Sequence, residues 1–311
     1  MKMYSTLALI VVFIVFALPY MASAAIWEVP DDYATIQMAI DDPVLVDGDV
    51  IAVRSGNYAG ALVNKRVEII GKGQVIIDSG PVHGSGLIQG FRLLTGSDGS
   101  TFSHLTINTD LAIMNGEGAD GVTVTQCSFN DTVQAVSNWR GSSWEITHNT
   151  ITNLRTRCGG GIGILVGDYS GGIVTDNVVS HNTIRGTLHV SNGDCGGYNG
   201  TGIVLFADFR WGSPGAESIE YNRVVKNKVS LVSDTPTTVN VAGIELTEAR
   251  DDNGSYAPVI VSNGIGFNDL CGTVLQLVLT PIGLDNPTND ISRNLGENRG
   301  HGLHPGVFRA E

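Results

Sequence analysis

A short motif that recurs seven times constrains the fold of this 311-residue chain more than any other feature. In each copy an apolar residue stands three positions before a fixed position, and a second apolar residue usually stands two positions after it. The fixed positions are Leu105, Cys127, Asn149, Asn177, Asn222, Asn263 and Asn294. Because the motif is constant while its spacing varies from 22 to 45 residues, it predicts a solenoid of stacked coils with loops of different length.

The asparagines of the motif predict a ladder inside the solenoid. A side-chain amide carries donors and an acceptor, so a buried asparagine can bond to the turn of its own coil and to the next amide. Five positions are expected to stack in this way: Asn149, Asn177, Asn222, Asn263 and Asn294. Leu105 and Cys127 begin the same column, which makes Cys127 a predicted buried free thiol. The two His-Asn-Thr-Ile strings, at His148 and His181, are then expected to lie out of register, because Asn149 is aligned with Asn177.

A second column predicts the secondary structure. Four short strings begin with glycine and are bounded by turn-forming residues, which is typical of strands. They are Gly161 to Ile164, Gly202 to Leu205, Gly243 to Leu246 and Gly272 to Leu275, and we expect them to align on successive coils. Two or three such strands per coil predict an all-β fold, a parallel β-helix with coils about 4.8 Å apart.

The first 24 residues have the pattern of a signal peptide. Lys2 precedes an apolar run, and small residues at positions 22–24 suit a cleavage site. The mature chain is predicted to be secreted, periplasmic or bound at the cell surface, with no membrane span after removal of the signal. It is expected to form a single domain, with a cap at 25–48, coils at 49–298 and a tail at 299–311.

Charge and cysteine content limit the partners further. The formal net charge is −13 and the pI is about 4.8, which disfavours nucleic acid and anionic membrane surfaces as partners. An acidic polysaccharide bridged by a divalent cation stays open. Cys158 and Cys195 each precede one of the glycine strings, so adjacent coils are expected to bring them together as a disulfide.

The segment after the signal peptide predicts an amino-terminal cap. Ile36, Ala39 and Ile40 share one face of a short helix that begins near Thr35. The open end of a solenoid needs such a cover. The whole opening resembles that of right-handed parallel β-helix proteins of the pectate-lyase-like superfamily, through a proline, a "TIQ-AI" helix, a "GD-I-V--G-Y" strand turn and an "I-G" strand. These are carried by Pro30, Thr35, Ile36, Gln37, Ala39, Ile40, Gly48, Asp49, Val53, Gly56, Tyr58 and Gly71.

The resemblance implies the fold but leaves the activity open, because the superfamily includes lyases, hydrolases, esterases, epimerases, adhesins and a copper-site maturation protein. The motifs of pectin methylesterases, a "DFIFG"-like strand and a "GRPW"-like loop, are absent. The stretch that contains Asp110 and Asp131, which are 21 residues apart, resembles polygalacturonases. Inverting hydrolysis needs two carboxyl groups several ångströms apart, so this pair is an alternative catalytic site. The other polygalacturonase motifs are missing.

A stronger cluster follows the glycine strings. Asp168, Asp208 and Glu248 are expected to line up on three coils, where they would hold Ca²⁺. Arg210 and Arg250 stand two residues after their acids and are candidate bases for uronate β-elimination, with Asp208 beside them. Four aromatic residues offer flat faces for stacking on sugars: Tyr169, Phe209, Trp211 and Tyr256.

The sequence therefore supports two classes of function. The first is an exported protein that binds a polysaccharide or surface glycan and cleaves it by lyase-like β-elimination or, with the Asp110 and Asp131 pair, by hydrolysis. The second is a non-catalytic surface or structural protein, such as an adhesin. Asp–Arg pairs that only keep exposed loops soluble would give the same pattern.

Overall fold

The computed structural model describes residues 24–157, 161–190, 199–209, 218–235, 240–249, 259–273, 275–280, 288–296 and 299–300. The predicted signal peptide (except Ala24), Cys158, Cys195 and most of the predicted tail lie outside these residues. The disulfide and the signal peptide therefore stay predictions. In the described part of the chain, no helix is both long enough and apolar enough to cross a bilayer.

The described residues form 27 strands and one helix. The elements before the regular coils are β1 (Ile26–Val29), α1 (Ile36–Asp41), β2 (Val50–Ala59), β3 (Ala61–Val63), β4 (Glu68–Ser79) and β5 (Gln89–Leu93). The next are β6 (Thr101–Ser103), β7 (Thr106–Ile107), β8 (Leu111–Asn115), β9 (Thr123–Thr125), β10 (Ser128–Thr132), β11 (Gln134–Trp139), β12 (Glu145–Thr147), β13 (Thr150–Arg155) and β14 (Ile162–Asp168). The remainder are β15 (Ile173–Thr175), β16 (Val178–Ser180), β17 (Thr183–His189), β18 (Asn199–Asp208), β19 (Ser218–Glu220), β20 (Arg223–Val225), β21 (Lys228–Ser233), β22 (Asn240–Ala249), β23 (Ile260–Val261), β24 (Gly264–Gly266), β25 (Leu275–Thr280), β26 (Asp290–Ser292) and β27 (Arg299–Gly300).

These strands pair in parallel with the equivalent strands of neighbouring coils, so the predicted all-β parallel β-helix is confirmed. Sheet A has 15 strands. β6, β9, β12, β16, β20, β24 and β26 form arm 1, and β7, β10, β13, β17 and β21 form arm 2. The long strand β4 joins the two arms and also pairs with β2, which pairs with β1. Sheet B has nine strands, β3, β5, β8, β11, β14, β18, β22, β25 and β27, and sheet C consists of β15, β19 and β23. The right-handed sense of the coils stays a prediction, which the general rule for parallel crossovers favours.

The amino-terminal helix covers the first coil, as predicted. Thr35 is its N-cap, and the Thr35 hydroxyl accepts a hydrogen bond from the backbone N–H of Met38 at 3.1 Å. Ile36, Ala39 and Ile40 are fully buried against the interior of the solenoid. The unpaired end of the apolar core is therefore shielded from water by one short amphipathic turn of helix.

Glycine is required where the strands of sheet B approach most closely. A Cβ at Gly163 would stand 2.4 Å from the carbonyl oxygen of Gly202, and a Cβ at Gly202 would stand 2.6 Å from that of Gly243. These glycines align because Ile164 pairs with Ile203, and Ile203 with Ile244. The predicted alignment of Gly161 is thus wrong by two residues. That of Gly272 is wrong by four, because Leu277 is the partner of Ile244.

Buried asparagines form two ladders, where the sequence predicted one. The first consists of Asn149, Asn182, Asn227, Asn268 and Asn294, whose amides donate from each to the next at 2.9–3.0 Å. The second consists of Asn115, Asn138, Asn177, Asn222, Asn263 and Asn289, linked at 2.8–3.1 Å. Asn177, Asn222 and Asn263 are therefore stacked as predicted, but Asn149 and Asn294 belong to the other ladder.

The prediction merged the two ladders because every complete coil turns two corners with the same local chemistry. At each corner an apolar residue is followed three positions later by an asparagine, so the motif does not reveal which corner it builds. In the coil of β15 and β16, Val174 precedes Asn177 at one corner and Val179 precedes Asn182 at the next. The distance of 28 residues between Asn149 and Asn177 therefore joins different corners.

The residue before each asparagine of the first ladder makes the corner in left-handed backbone. The φ angle lies between 53° and 58° at Gln126, His148, His181, Lys226, Phe267 and Arg293. Their side chains point to solvent in a single file. The His148 and His181 rings are parallel with centroids 4.8 Å apart. The expectation that these two histidine strings lie out of register is therefore wrong.

Removing one amide from the middle of a ladder should destabilise the fold more than removing an exposed amide. Asn222 donates to Asn263 Oδ1 and to the Val174 carbonyl, and accepts from the backbone and side chain of Asn177. Asn222→Ala would leave buried groups unpaired on both neighbouring coils, at a cost of about 3 kcal/mol. Urea unfolding should show this loss, whereas Asn130→Ala, which removes one exposed bond to Asn108, should change stability by less than about 1 kcal/mol. Equal effects would contradict the role of the ladders.

The thiols of Cys127 and Cys271 differ in accessibility. Cys127 is buried beneath Asn149 at the start of the first ladder, and burial raises its pKa to about 12. Cys271 is exposed. We expect Ellman's reagent to titrate one thiol in the folded protein and none in folded Cys271→Ser. Unfolding without reductant should add one thiol, Cys127, if Cys158 and Cys195 are joined. Four thiols in the unfolded, unreduced chain would contradict the predicted disulfide.

Candidate functional site

The outer face of sheet B is withdrawn from water. Its outward side chains form a second hydrophobic cluster, separate from the interior of the solenoid, together with Leu87. The members on the strands include Leu111, Met114, Trp139, Leu165, Val204 and Phe206, all fully buried. The outward positions of arm 1 and arm 2, such as Thr125 and Thr150, are by contrast partly exposed. The outer face of sheet B is thus covered and apolar, whereas the outer faces of the two arms face water.

Polar side chains interrupt this apolar face in two adjacent columns. Gln89, Gln134 and Thr201 lie in one column, and Ser137 and Glu245 lie in the next. The Ser137 hydroxyl donates to Gln134 Oε1 at 2.6 Å, and the Thr201 hydroxyl donates to Glu245 Oε2 at 2.8 Å. These five side chains, which share one face, are called the polar row below.

Three atoms of the polar row have no hydrogen-bond partner among the described residues. They are the Oε1 atoms of Gln89 and Glu245 and the Nε2 atom of Gln134. All three residues are at most 1% exposed. An unpaired buried polar atom costs about 1–3 kcal/mol, so a chain retains several on one face only at a sizeable loss of stability. Such a loss is typical of binding sites, in which the ligand supplies the missing partners.

Glu245 has the most perturbed carboxyl group of the face. Burial raises its pKa to about 8, although the hydrogen bond from Thr201 opposes the shift. The side chain is therefore neutral at pH 7 and presents an acidic proton. Glu245 is not among the site residues predicted from the sequence. The available signal was a glutamate at an outward position of the string Ile244 to Leu246, where the neighbouring coil carries Val204.

Aromatic residues border the polar row at the carboxyl ends of the strands. The Trp139 ring packs edge-on against Tyr169 and Phe206, with centroid distances of 5.2 and 5.8 Å. The Arg140 guanidinium lies over the Tyr169 ring at 5.1 Å. Tyr169, a predicted substrate-binding residue, is half-buried and thus presents part of its surface at this edge. Trp139 and Arg140 were not anticipated from the sequence.

The three predicted calcium ligands do not form a line. Asp168 pairs in register with Ala207, which pairs with Glu248, so Asp208 occupies the following position, beside Ala249. The Asp168 carboxylate accepts three backbone N–H groups and a hydroxyl from the turn at residues 170–172. Glu248 accepts from the Val259 N–H at 2.9 Å. Across the described ranges no cluster of three or more His, Cys, Asp or Glu side chains could hold a metal, and the Ca²⁺ expected from the sequence stays a prediction.

Phe209 does not offer a face for stacking on sugars. It is 7% exposed and belongs to the hydrophobic interior, as does Ala207 two positions before it. Its backbone N–H donates to the Ala249 carbonyl at 2.9 Å. Arg210, Trp211, Arg250 and Tyr256 lie outside the described residues, and their assigned roles stay predictions.

Asp110 and Asp131 do lie on neighbouring coils, and Arg155 of the following coil holds both. Arg155 Nη2 is 2.5 Å from Asp110 Oδ1, and Nε is 3.5 Å from Asp131 Oδ2. The other Asp110 oxygen accepts from the Ile88 N–H at 2.7 Å. Both oxygens of Asp110 have partners within the chain, so the cluster braces neighbouring coils, and the catalytic role of Asp110 and Asp131 stays a prediction.

Comparisons with known proteins add little to this description. A scan against protein-family profiles finds no match, and a search of characterised protein sequences finds none either. Among solved structures, a similar chain is the crystal structure of pectin methylesterase in complex with hexasaccharide VII. It is 10% identical, with 79% of this chain and 78% of that chain covered and a TM-score of 0.23. At that score the similarity carries no argument, so the fold rests on the strand pairing and the site on its geometry.

The buried carboxyl group of Glu245 should make stability fall as the pH rises. Its pKa is raised in the folded chain, so the stabilisation is complete below the unfolded value near 4.5 and is lost as the pH rises through about 8. Over that window wild type should lose on the order of 4 kcal/mol relative to Glu245→Gln, which stays neutral. Urea unfolding from pH 4 to 9 measures the difference. Glu145→Gln, at an exposed position of arm 1, should follow wild type, and parallel curves for all three proteins would contradict a buried neutral Glu245.

Proposed function

We propose that the protein binds a polysaccharide on the outer face of sheet B, with the sugar chain running along the axis of the coils. The observation that carries the proposal is the polar row with its three unpaired atoms. A hydroxyl-rich polymer provides donors for the Gln89 carbonyl and acceptors for the Gln134 amide and for the protonated carboxyl of Glu245. It also repeats along its length, as the stacked coils do at about 4.8 Å.

The apolar and aromatic residues around the polar row support this choice of ligand class. Sugar rings have apolar C–H faces as well as hydroxyl groups, and sites for such ligands combine hydrophobic surface with a few placed polar groups. Tyr169 is partly exposed after the end of β14 and provides such a surface, and the buried Trp139 ring packs against it. The segments that carry Arg210 with Trp211, and Arg250 with Tyr256, directly follow β18 and β22 in the sequence, so we assign these side chains to the same proposed site.

If the polymer contains uronic acid, the proposed reaction is β-elimination. The neutral carboxyl of Glu245 would donate a hydrogen bond to the uronate carboxylate, which makes the adjacent C–H more acidic. A base, Arg210 or Arg250 in the prediction from sequence, would take that proton. The C–O bond to the leaving sugar then breaks and an unsaturated sugar forms, with no oxidant or reductant needed. A protein that binds the polymer without cleaving it would be the non-catalytic surface protein considered above.

Binding by Glu245 variants tests the proposal. The mature protein should be retarded in affinity gels that contain pectate, alginate or xylan, with at least one polymer effective. Glu245→Leu should bind about tenfold or more weakly, because it removes the hydrogen-bonding group, yet it should unfold at a higher temperature at pH 8. Glu145→Leu, the same change on arm 1, should bind as wild type does. Normal binding by Glu245→Leu would place the ligand on another face, and no retardation by any polymer would contradict polysaccharide binding.

Product analysis separates cleavage from binding. Incubation with the retained polymer should release sugars that absorb in the ultraviolet if β-elimination occurs, and new reducing ends without absorbance if hydrolysis occurs. Glu245→Gln keeps a donor at the same position, so we expect retained binding but slower release. Retention without any new ends identifies the non-catalytic alternative.

A further inference from the structure

A gap in the outer surface of arm 1 forms a cavity near its carboxyl-terminal end. Strand β24 has the sequence Gly-Ile-Gly, with Ile265 buried inward, so both of its outward positions lack side chains. A Cβ at Gly264 would meet no atom within 4 Å, which shows open space above it. The cavity, called the glycine trough below, has a volume of about 200 Å³ and is lined by Arg223, Val225, Gly264, Ile265, Gly266, Phe267, Asp290 and Ser292.

Strand register fixes the walls of the trough. Gly264 pairs with Arg223 on one side and with Asp290 on the other, and Gly266 pairs in the same way with Val225 and Ser292. The two walls are therefore two strand spacings apart, about 9–10 Å. A gap of this width over a glycine floor admits one flat ring, and its volume is below the roughly 300 Å³ at which pockets for larger ligands begin.

The two charged wall residues face each other without pairing. Arg223 and Asp290 are both exposed, and neither forms an ion pair within the described part of the chain. A group that is both donor and acceptor can bond to both, because a carboxylate only accepts and a guanidinium only donates. A hydroxyl group meets that requirement, whereas an anion or a cation would be repelled by one wall.

An exposed aromatic ring closes one end of the trough. Phe267 follows Gly266 at the left-handed corner and is 55% exposed. The Arg293 guanidinium lies 5.2 Å from the centre of its ring and thereby helps to hold it in place. The apolar ring and Val225 offer contacts to C–H groups, and the polar walls offer contacts to hydroxyl groups.

We infer that the glycine trough binds one uncharged sugar ring. A pyranose combines adjacent hydroxyl groups, which can donate to Asp290 and accept from Arg223, with an apolar face that can rest on the glycine floor and Phe267. An extended peptide suits the trough less well, because β24 already pairs with β20 and β26 and has no free edge for strand addition. This inference stands on the trough alone and is independent of the function proposed for sheet B.

Filling the trough tests the inference. Gly264→Val places a β-branched side chain where there is open space, on a strand that favours it. Gly84→Val is the matched control. A Cβ at Gly84 also meets no atom within 4 Å, and Gly84 is distant from Gly264 in the sequence. Methyl glycosides of glucose, galactose and mannose serve as probes, and chemical-shift titration of the labelled protein measures their affinity.

We expect at least one glycoside to bind in saturable fashion to wild type and to Gly84→Val, and about tenfold more weakly or worse to Gly264→Val. Arg223→Gln and Asp290→Asn keep the glycine floor intact and should each weaken glycoside binding as well. If Gly264→Val fails to fold, these two variants test the inference. The shift changes should centre on Arg223, Gly264 and Asp290 and not on sheet B, which separates the trough from the site proposed there. The inference is overturned if no neutral glycoside saturates, if Gly264→Val binds like the control, or if only charged sugars or peptides bind.

Discussion

The stacking of side-chain amides at two corners is the interaction on which the rest of the structure depends. Apolar packing inside a solenoid has no direction, so by itself it would tolerate small slips between coils. An asparagine in the middle of a ladder instead bridges three coils. The Asn182 amide donates to the Ile146 carbonyl of one neighbouring coil and to the Asn227 side chain of the other. These bonds fix both the rise and the rotation of successive coils.

Loop length is free to vary because the corners hold the register. Consecutive members of the first ladder are 33, 45, 41 and 26 residues apart, yet their amides meet at nearly constant distance. The outer face of sheet B does not have to fix the register of the coils. It can therefore carry a buried glutamate and unpaired amide atoms, which reduce stability, in exchange for binding capacity. Gly264 and Gly266 likewise leave the outward positions of their coil without side chains. The strands on either side keep their register because the ladders hold it.

Local chemistry in the sequence was sufficient for the fold but not for the alignment of its parts. The cap helix, the parallel strands, the buried Cys127 and the contacts among Asn177, Asn222 and Asn263 follow from patterns that are complete within a few residues. The assignment of Asn149 does not, because two corners share one motif and only the neighbouring coil distinguishes them. The same ambiguity in the string Gly161 to Ile164 shifted the register of sheet B by two residues.

The errors at the candidate site have a different cause. The three acids are each 40 residues apart, whereas paired residues are 39 apart between β14 and β18 and 41 apart between β18 and β22, so the expected line of Asp168, Asp208 and Glu248 does not form. A displacement of one position in a strand exchanges the inner and outer faces, and Phe209 lies in the core. Asp168 is committed to the turn that follows it. Glu245 and the unpaired atoms of the polar row become recognisable only when burial is known, because a glutamate in an apolar string has no distinguishing neighbour in sequence.

The left-handed corner of the first ladder has a separate consequence. Its occupants differ widely in chemistry, from Gln126 through two histidines to Lys226, Phe267 and Arg293, while the backbone angle hardly changes. The corner demands a conformation and not a particular side chain. The corner therefore places one exposed side chain per coil at a regular spacing. That side chain can be replaced by another, in evolution or by design, without a change in the buried core.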